Sequence, residues 1–204
     1  MTTAPGPERR RGRGPRGAGA DTRGDILVAA AAGFSEHGYA GTSMRAIARA
    51  AGVDPALVRH YFDSKAELFI AAMRPAQPDD ARLLALVSAP RDQVGTRLIA
   101  LFLELWDDPS LGPRMRGILL SAMTTPEVAS AVQTVLIRDV VLRLARDDHK
   151  EMRAGAAASQ LMGLAAARYL IGVPAVVQAS RAELVAVYGP TLQRYLQGEL
   201  DLEG

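Results

Sequence analysis

Residues 33–69 read GFSEHGYAGTSMRAIARAAGVDPALVRHYFDSKAELF and contain closely spaced signals for short helices. Thr42 and Ser43 can cap a helix that follows them, because a side-chain oxygen at this position accepts an unpaired amide of the first turn. Gly52 can end that helix, and Asp54 can cap a second helix that begins after it. Two short helices joined by a tight turn are the pattern of a helix-turn-helix.

A third helix is predicted immediately after the second. Ser64 and Glu67 have the spacing of a capping box, in which each side chain accepts the unpaired amide of the other residue. Upstream, apolar residues recur every three or four positions from Thr22 to Phe34, which predicts an amphipathic first helix. Gly38 can end that helix, because glycine accepts the left-handed backbone conformation. These signals predict a small helical head.

The rest of the chain has helical periodicity and few β-branched strand patterns, so we predict an all-α fold. The helices expected after the head cover residues 80–88, 92–107, 110–123, 127–148, 154–172 and 181–197. The expected organisation is a disordered basic arm at residues 1–20, a three-helix helix-turn-helix domain at 21–74 and a larger helical domain at 75–204.

The net charge of +2 is unevenly distributed along the 204 residues. Residues 1–20 contain five arginines and one glutamate, a net charge of +4, whereas residues 21–74 contain six basic and six acidic residues. A basic terminal arm suggests a polyanionic partner, with nucleic acid as the leading candidate. The alternative is that the arm is only a solvated, disordered end.

Several classes of protein are excluded by the composition. The chain has no cysteine, which excludes disulfides, thiolate metal sites and a cysteine nucleophile. The longest stretch without charged residues lies between Arg153 and Arg168 and is too short to span a bilayer. The N-terminus has no apolar stretch after its basic run, so it does not have the form of a secretory signal. We therefore expect a cytoplasmic protein.

The order and spacing of residues from Gly33 to Val53 and from His60 to Phe69 resemble the tetracycline-repressor (TetR) family of bacterial transcriptional regulators. The resemblance covers about 50 residues of the head, and the rest of the chain is similar only in helical character and length. It implies a homodimer that binds a palindromic double-stranded DNA operator. It further implies a repressor that is released by a small apolar or amphipathic effector, with a C-terminal domain that binds this effector and dimerises.

Candidate DNA contacts lie in and around the two short helices. Thr42 and Ser43 offer hydroxyls and amides to a phosphate at a helix N-terminus, although simple capping is an alternative role. Arg59 could pair with a guanine, and Leu57 could contact a thymine methyl group. The full predicted set is Thr42, Ser43, Arg45, Leu57, Arg59, His60, Tyr61 and Lys65.

Three of these positions can be compared with the family pattern. Tyr61 and Lys65 match positions that commonly contact the DNA backbone in the family. An aromatic residue commonly precedes the position of His60, whereas this chain has Arg59 there. The departure leaves the predicted fold unchanged and concerns the operator sequence.

The C-terminal domain offers candidates for an effector site and for a dimer interface, with ordinary core packing as the alternative for each residue. The expected effector contacts are Phe102, Trp106, Met115, Leu119, Met123, Met162 and Arg168. The expected dimer contacts are Leu161, Leu164, Leu184, Tyr188, Leu192 and Tyr195. Dimerisation itself follows from the palindrome, since a helix-turn-helix that reads two half-sites requires two copies.

An enzyme is the weaker hypothesis. The three histidines, His37, His60 and His149, are far apart in sequence and lack carboxylates at ligand spacing. No phosphate-binding glycine loop or nucleophile elbow is present, so we predict no catalytic residue, no cofactor and no metal. A second alternative is a helical interaction protein that has lost DNA binding. The joint presence of Thr42, Arg45, Tyr61 and Lys65 argues against it.

Overall fold

The computed structural model describes residues 21–73, 81–134 and 140–200, and these residues form helices joined by turns, with no strand among them. The predicted arm at residues 1–20 lies outside the described residues. We use "head" for residues 21–73 and "body" for the described residues from 81 onward. The head consists of α1 (Thr22–Gly41), α2 (Met44–Ala51), α3 (Pro55–Tyr61) and α4 (Lys65–Met73). The all-α prediction is confirmed.

The body begins with α5 (Ala81–Val87), a 3₁₀ turn (Arg91–Gln93), α6 (Val94–Asp107), α7 (Gly112–Thr124) and α8 (Pro126–Val132). It continues with α9 (Leu142–Leu144), α10 (Lys150–Ala165), a π-helical turn (Ala166–Ile171), α11 (Pro174–Gln178) and α12 (Arg181–Gln197). The helix predicted over 127–148 was too long, because the chain leaves the helical conformation at Ala145. None of the described helices is long and apolar enough to cross a membrane.

Short polar side chains begin the head helices as the sequence predicted. Ser43 Oγ accepts the amide of Ala46 at 3.1 Å, and Asp54 Oδ1 accepts the amide of Ala56 at 2.7 Å. Each bond satisfies an amide that the first turn of a helix leaves unpaired. Gly38 has a positive φ of 69° and interrupts the helical dihedral angles of α1, which confirms the predicted break.

The predicted capping box at the start of α4 forms with one difference. The amide of Glu67 donates to Ser64 Oγ at 3.0 Å, as expected. The Glu67 carboxylate, however, accepts the amide of Asp63 at 2.8 Å, one residue before the predicted partner. The reciprocal cap therefore includes the residue before the capping serine.

The apolar core of the head extends into the body. Phe34, Ile47 and Phe69 are buried together, with the Phe34 and Phe69 rings 4.9 Å apart in an edge-to-face arrangement. The same cluster includes Ile118 of α7 and the fully buried Val128 of α8. Head and body therefore share one packed region, and a shift of α7 or α8 must alter contacts inside the head.

The body is organised around the close packing of α6 against α12. A Cβ atom at Gly95 would lie 2.3 Å from the backbone nitrogen of Gln193, so only glycine permits this approach. The Gly95 amide donates to Gln193 Oε1 at 2.7 Å. The buried leucines Leu103, Leu164 and Leu192 complete the core between α6, α10 and α12.

A buried arginine holds the start of α10 against the end of α12. The Arg153 guanidinium is fully buried and donates to the carbonyl oxygens of Tyr195 at 3.0 Å and Gly198 at 2.8 Å. It also pairs with the Asp148 carboxylate at 2.6 Å, and this hydrogen bond lowers the pKa of Asp148. The buried charge is therefore both paired and hydrogen-bonded, as burial requires.

Candidate nucleic-acid interface and effector cluster

The last turn of α3 presents three consecutive polar side chains to solvent. Val58 and Phe62 are buried one helical turn apart and anchor this side of the helix in the head core. Arg59, His60 and Tyr61 lie between them and are exposed. The His60 and Tyr61 rings contact each other with centroids 5.3 Å apart. A helix anchored in this way leaves its outer side chains free to meet a ligand surface.

Two further predicted contacts are exposed at the start of α2. Ser43 and Arg45 both lie on the surface, while Ile47 and Ala48 face the core. Within the described part of the chain, Arg45 and Arg59 form no salt bridge. Both guanidinium groups therefore keep their donors available.

The structure corrects the prediction that the Thr42 hydroxyl contacts a phosphate. Thr42 is buried, and its Oγ1 lies 2.9 Å from the carbonyl oxygens of both Gly33 and Gly38. A hydroxyl proton shared between these two carbonyls is an internal bond that joins the end of α1 to the start of α2. The capping role belongs to Ser43 instead.

Lys65 is held against an aromatic ring. Its Nζ lies 4.4 Å from the centre of the Tyr39 ring, and burial lowers the pKa of the Lys65 ammonium group. The Tyr39 ring also contacts Phe69 at 5.2 Å. Burial, with a smaller contribution from the Glu127 carboxylate of α8, raises the pKa of the Tyr39 hydroxyl. The predicted contact Lys65 is thus positioned by a ring that belongs to the head core.

Arg23 is a candidate that the sequence reasoning missed. It is exposed in the first turn of α1, and its guanidinium carbon lies 5.2 Å from the centre of the Phe62 ring, directly after α3. A cation in the first turn is unfavourable for the helix dipole. This unfavourable charge in the first turn was the sequence signal that Arg23 has a role other than stabilising α1.

The neutral sum of charges over residues 21–74 has a structural explanation. Asp21, Asp54 and Glu67 each accept backbone amides near helix starts, at distances between 2.7 and 2.8 Å. Carboxylates in such positions balance the partial positive charge of helix N-termini. Half of the acidic residues of the head therefore serve as caps, which reconciles a neutral sum with exposed arginines on α2 and α3.

An aromatic cluster lies in the body where α6, α7, α10 and the π-helical turn meet. Trp106 is packed between Phe102, at 5.6 Å, and Tyr169, at 5.0 Å between ring centroids. Leu119 and Met115 of α7 complete this side. We call these five residues, with Ala165 and Leu170, the aromatic cluster.

Polar side chains at the border of the aromatic cluster form hydrogen bonds and salt bridges with one another. The Tyr169 hydroxyl donates to Asp107 at 2.8 Å, and burial together with this bond holds its pKa far above the usual value of 10.0. Arg181 pairs with the other oxygen of Asp107 at 3.2 Å. Arg168 donates to the carbonyl oxygens of Val176 and Ala179.

The structure assembles most, but not all, of the predicted effector residues. Phe102, Trp106, Met115 and Leu119 lie together in the aromatic cluster, and Arg168 lies beside Tyr169 with its guanidinium carbon 5.7 Å from the ring centre. Met123 and Met162 do not belong to the cluster, with 64% and 43% of their surfaces exposed, and their contact with an effector stays a prediction. Tyr169 also packs in the aromatic cluster but was not among the predicted residues, because helical periodicity did not indicate which way its ring points.

The residues predicted for the dimer interface pack largely within the chain. Leu161, Leu164, Leu184 and Leu192 are buried within the chain, where α6, α10 and α12 cover them. Tyr188 and Tyr195 are half-buried against the same core. These side chains pack against intrachain partners, and their contact with a second copy stays a prediction.

A different side of α10 faces solvent. Met152, Gly155, Ser159 and Met162 recur at three- and four-residue spacing and are all exposed. A Cβ atom at Gly155 would meet nothing within 4 Å. We call these four residues the outer face of α10. On α12, Val187 is likewise 66% exposed.

Comparison with known families decides what kind of protein carries this head. The model for bacterial regulatory proteins of the tetR family matches residues 26–72, and the model for the C-terminal domain of tetracycline repressor-like proteins matches residues 92–196. The chain belongs to the TetR family. It is therefore a DNA-binding transcriptional regulator and not an enzyme.

Individual relatives agree with this assignment to the TetR family. The HTH-type transcriptional regulator BetI of Rhizobium meliloti (strain 1021) is 29% identical over 174 residues, which cover 77% of this chain and 82% of BetI. The HTH-type transcriptional repressor AcnR of Corynebacterium efficiens is 31% identical over 137 residues, 64% of this chain and 68% of AcnR. A crystal structure of a TetR-family regulator from Streptomyces coelicolor A3 superposes with a TM-score of 0.67 at 27% identity, covering 90% and 99% of the two chains.

Proposed function

We propose that this TetR-family regulator is a homodimeric repressor that binds a palindromic operator and is released by a small apolar or amphipathic effector. The observation that carries the proposal is the exposed last turn of α3, where Arg59, His60 and Tyr61 project from a helix anchored by Val58. In a helix-turn-helix, the second helix enters the major groove and its exposed side chains contact base edges. We place the protein in the cytoplasm, where its operator lies.

The contacts divide into those that read bases and those that bind the backbone. In this proposal Arg59 pairs with a guanine, because its guanidinium carries two parallel donors, and the half-exposed Leu57 contacts a thymine methyl group. Ser43, Tyr61 and Lys65 bind phosphates and fix the register of the head on the duplex. Arg45 and His60 lie close enough in sequence to these groups to act in either way.

Positively charged residues outside α2 and α3 attract the DNA phosphates without contributing to sequence preference. Arg23 extends the basic surface beside the end of α3. The five arginines of residues 1–20 supply a further net charge of +4 with their single glutamate. Lysine and arginine contacts to phosphates release counterions, so this attraction weakens as salt is added.

The partner in the dimer is a second copy of the chain, and we assign the contact to the outer face of α10 together with the exposed side of α12. Met152, Met162 and Val187 are large apolar side chains left in solvent by the single chain. Gly155 adds no side chain at its centre, so a second helix can approach closely. Burying these methionines against their symmetry mates removes apolar surface from water.

The effector acts at the aromatic cluster and reaches the head through α7. Two adjacent residues of this helix belong to different clusters: Leu119 packs in the aromatic cluster, and Ile118 packs in the core of the head. An effector that displaces α7 to fit beside Leu119 must therefore also move Ile118 against α4. A ligand that binds the displaced arrangement better shifts the population away from the DNA-binding form.

The proposed reading of DNA is tested by Arg59→Ala. We expect specific retardation of DNA from the upstream region of its own gene to be lost in a gel shift, with a decrease in affinity of about 5- to 150-fold for one guanine contact. Arg97→Ala in α6 removes the same charge from an exposed site in the body and should bind as the wild type does. Equal binding by Arg59→Ala and Arg97→Ala would contradict the proposal.

The proposed dimer is tested by a matched pair of methionine variants. Met162→Asp puts a charge on the outer face of α10 and should give monomers in sedimentation experiments. Met123→Asp introduces the same charge at an exposed methionine of α7 and should leave the dimer intact. If both variants have the same mass in solution, the outer face of α10 is not the interface.

A further inference from the structure

The indole nitrogen of Trp106 is a buried donor without an acceptor among the described residues. Trp106 has 6% of its surface exposed, and its Nε1 has no hydrogen-bond partner within the described part of the chain. Buried side-chain donors in native proteins are nearly always paired, because a lost hydrogen bond to water is otherwise not replaced. An unpaired donor at this place can be satisfied by an acceptor from a bound ligand.

The neighbours of Trp106 cannot supply that acceptor themselves. Leu119 and Ala165, on α7 and α10, are buried carbon side chains beside the indole. The one polar group on the neighbouring rings, the Tyr169 hydroxyl, is already bound to Asp107. The chemical surroundings of the indole are therefore apolar with a single open donor.

The rim of the cluster is partly exposed to solvent. Phe102, Met115, Tyr169 and Leu170 are only partly buried, whereas a closed core would bury all of them. The Trp106 and Tyr169 ring planes are inclined by only 21°, so they present nearly parallel aromatic surfaces. Offset stacking of a further ring on such surfaces is favourable.

The backbone around the cluster is irregular on both sides. Tyr169 lies in the π-helical turn that follows α10, and π-helical turns are frequent at functional sites. Gly112 begins α7 so close to Trp106 that a Cβ atom there would lie 2.3 Å from the Trp106 carbonyl oxygen. These two features hold α6, α7 and Tyr169 around the indole.

Two arginines beside the cluster are already bound within the chain. Arg181 pairs with Asp107, and Arg168 lies 4.0 Å from the same carboxylate. Arg168 also binds backbone carbonyl oxygens of Val176 and Ala179. A charged ligand would have to break these contacts, whereas a neutral ligand would not.

We infer that the effector is a planar, uncharged aromatic molecule with a hydrogen-bond acceptor that pairs with the Trp106 indole N–H. This inference rests on the proposed function only in taking the aromatic cluster as the effector site. The acceptor can be a ring nitrogen or a carbonyl oxygen, since both accept from an N–H donor. The ring system of the ligand stacks at the Trp106–Tyr169 pair.

The inference is tested with quinoline and naphthalene, which share one bicyclic frame and differ in a single acceptor nitrogen. Trp106 is the only tryptophan, so full-length protein labelled with ¹⁵N gives one indole N–H resonance in an NMR spectrum. We expect quinoline to move the indole proton downfield and naphthalene not to do so. Quinoline should also bind more tightly by about 2- to 10-fold, the ratio that one net hydrogen bond provides.

Trp106→Phe keeps an aromatic ring and removes the donor, so it should bind the two probes equally. An unmoved indole resonance at saturating quinoline would overturn the inference, as would no binding of either probe. A quinoline preference that persists in Trp106→Phe would overturn it too. The wild-type NMR result stands even if the variant fails to fold.

Failure here is distinguishable from failure of the proposed function. If the protein retards operator DNA but neither probe moves the indole resonance, only the assigned ligand chemistry is wrong. If the indole prefers quinoline but no DNA is bound, the ligand chemistry stands and the proposed repressor function is wrong.

Discussion

The Lys65 ammonium nitrogen lies 4.4 Å from the centre of the Tyr39 ring, and this contact links a proposed phosphate contact to the core of the head. The same ring contacts Phe69, and the Glu127 carboxylate of α8 contributes to the raised pKa of its hydroxyl. A single tyrosine therefore connects a proposed phosphate contact with the first turn of a body helix. Movement of α8 relative to α4 can change the position of the Lys65 charge.

Thr42→Val should destabilise the head without weakening a direct DNA contact. The valine keeps the shape but leaves the carbonyl oxygens of Gly33 and Gly38 without the hydroxyl donor, at a cost of about 0.5–1.5 kcal/mol in the free energy of unfolding. Denaturant unfolding measures this change. Ser43→Ala, which removes only a cap, should cost about 1 kcal/mol. If Thr42→Val is fully stable but binds DNA poorly, the hydroxyl is a phosphate contact after all.

Arg23→Ala should weaken binding to operator and to unrelated DNA by the same factor. A phosphate contact carries no sequence information, and its loss reduces the slope of log affinity against log salt by about 1. Binding titrations at several salt concentrations measure the slope, with Arg97→Ala as the control for loss of charge in the body. A slope equal to that of the wild type would show that Arg23 only packs on Phe62.

Gly95→Ala should separate α6 from α12. Its methyl group would overlap the Gln193 nitrogen at 2.3 Å and the Gly189 carbonyl oxygen at 2.5 Å, both of which are backbone atoms that cannot rotate away. We expect a loss of about 1–3 kcal/mol in the free energy of unfolding, the range for overpacking. Gly117→Ala is the control, because a Cβ atom there meets only the Met73 side chain at 3.8 Å. Equal stability of the two variants would contradict the packing described for α6 and α12.

Asp148 should make the chain sensitive to acid. Its hydrogen bond to Arg153 lowers the pKa of the carboxyl in the folded chain below the ordinary value of 3.8. A lowered folded pKa gives stability that is present above the unfolded value and is lost as the pH falls through the folded value. Asp148→Asn should therefore show a smaller decrease in the free energy of unfolding between about pH 4 and pH 2. A decrease equal to that of the wild type would show that the Asp148–Arg153 pair does not couple to folding.

The start signals of the head helices could be predicted because they depend on neighbours in sequence. Ser43 accepts an amide three residues away and Asp54 one two residues away, so the residue types alone specify these bonds. Gly38 is similar, since its positive φ is a local property. The positions at which the head helices begin and end therefore depend on contacts between residues that are close in sequence.

The directions of side chains in the body could not be predicted in the same way. α10 is rich in alanine and leucine on more than one side, so periodicity did not reveal that Leu161 faces the core while Met162 faces solvent. Thr42 shows the same limit at the site, because its hydroxyl partners lie across the bend at Gly38. Such contacts depend on how helices pack, which the sequence pattern alone leaves open.

The most direct test of the account is to select genomic DNA fragments that bind the full-length protein and sequence them, for the wild type and for Arg59→Ala. We predict that the wild type enriches an inverted repeat with symmetric half-sites, as a helix-turn-helix dimer requires. Arg59→Ala should lose the base preference at one position of each half-site. Enrichment of no inverted repeat, or an identical motif with undiminished preference for Arg59→Ala, would contradict the claim that this regulator reads its operator with α3.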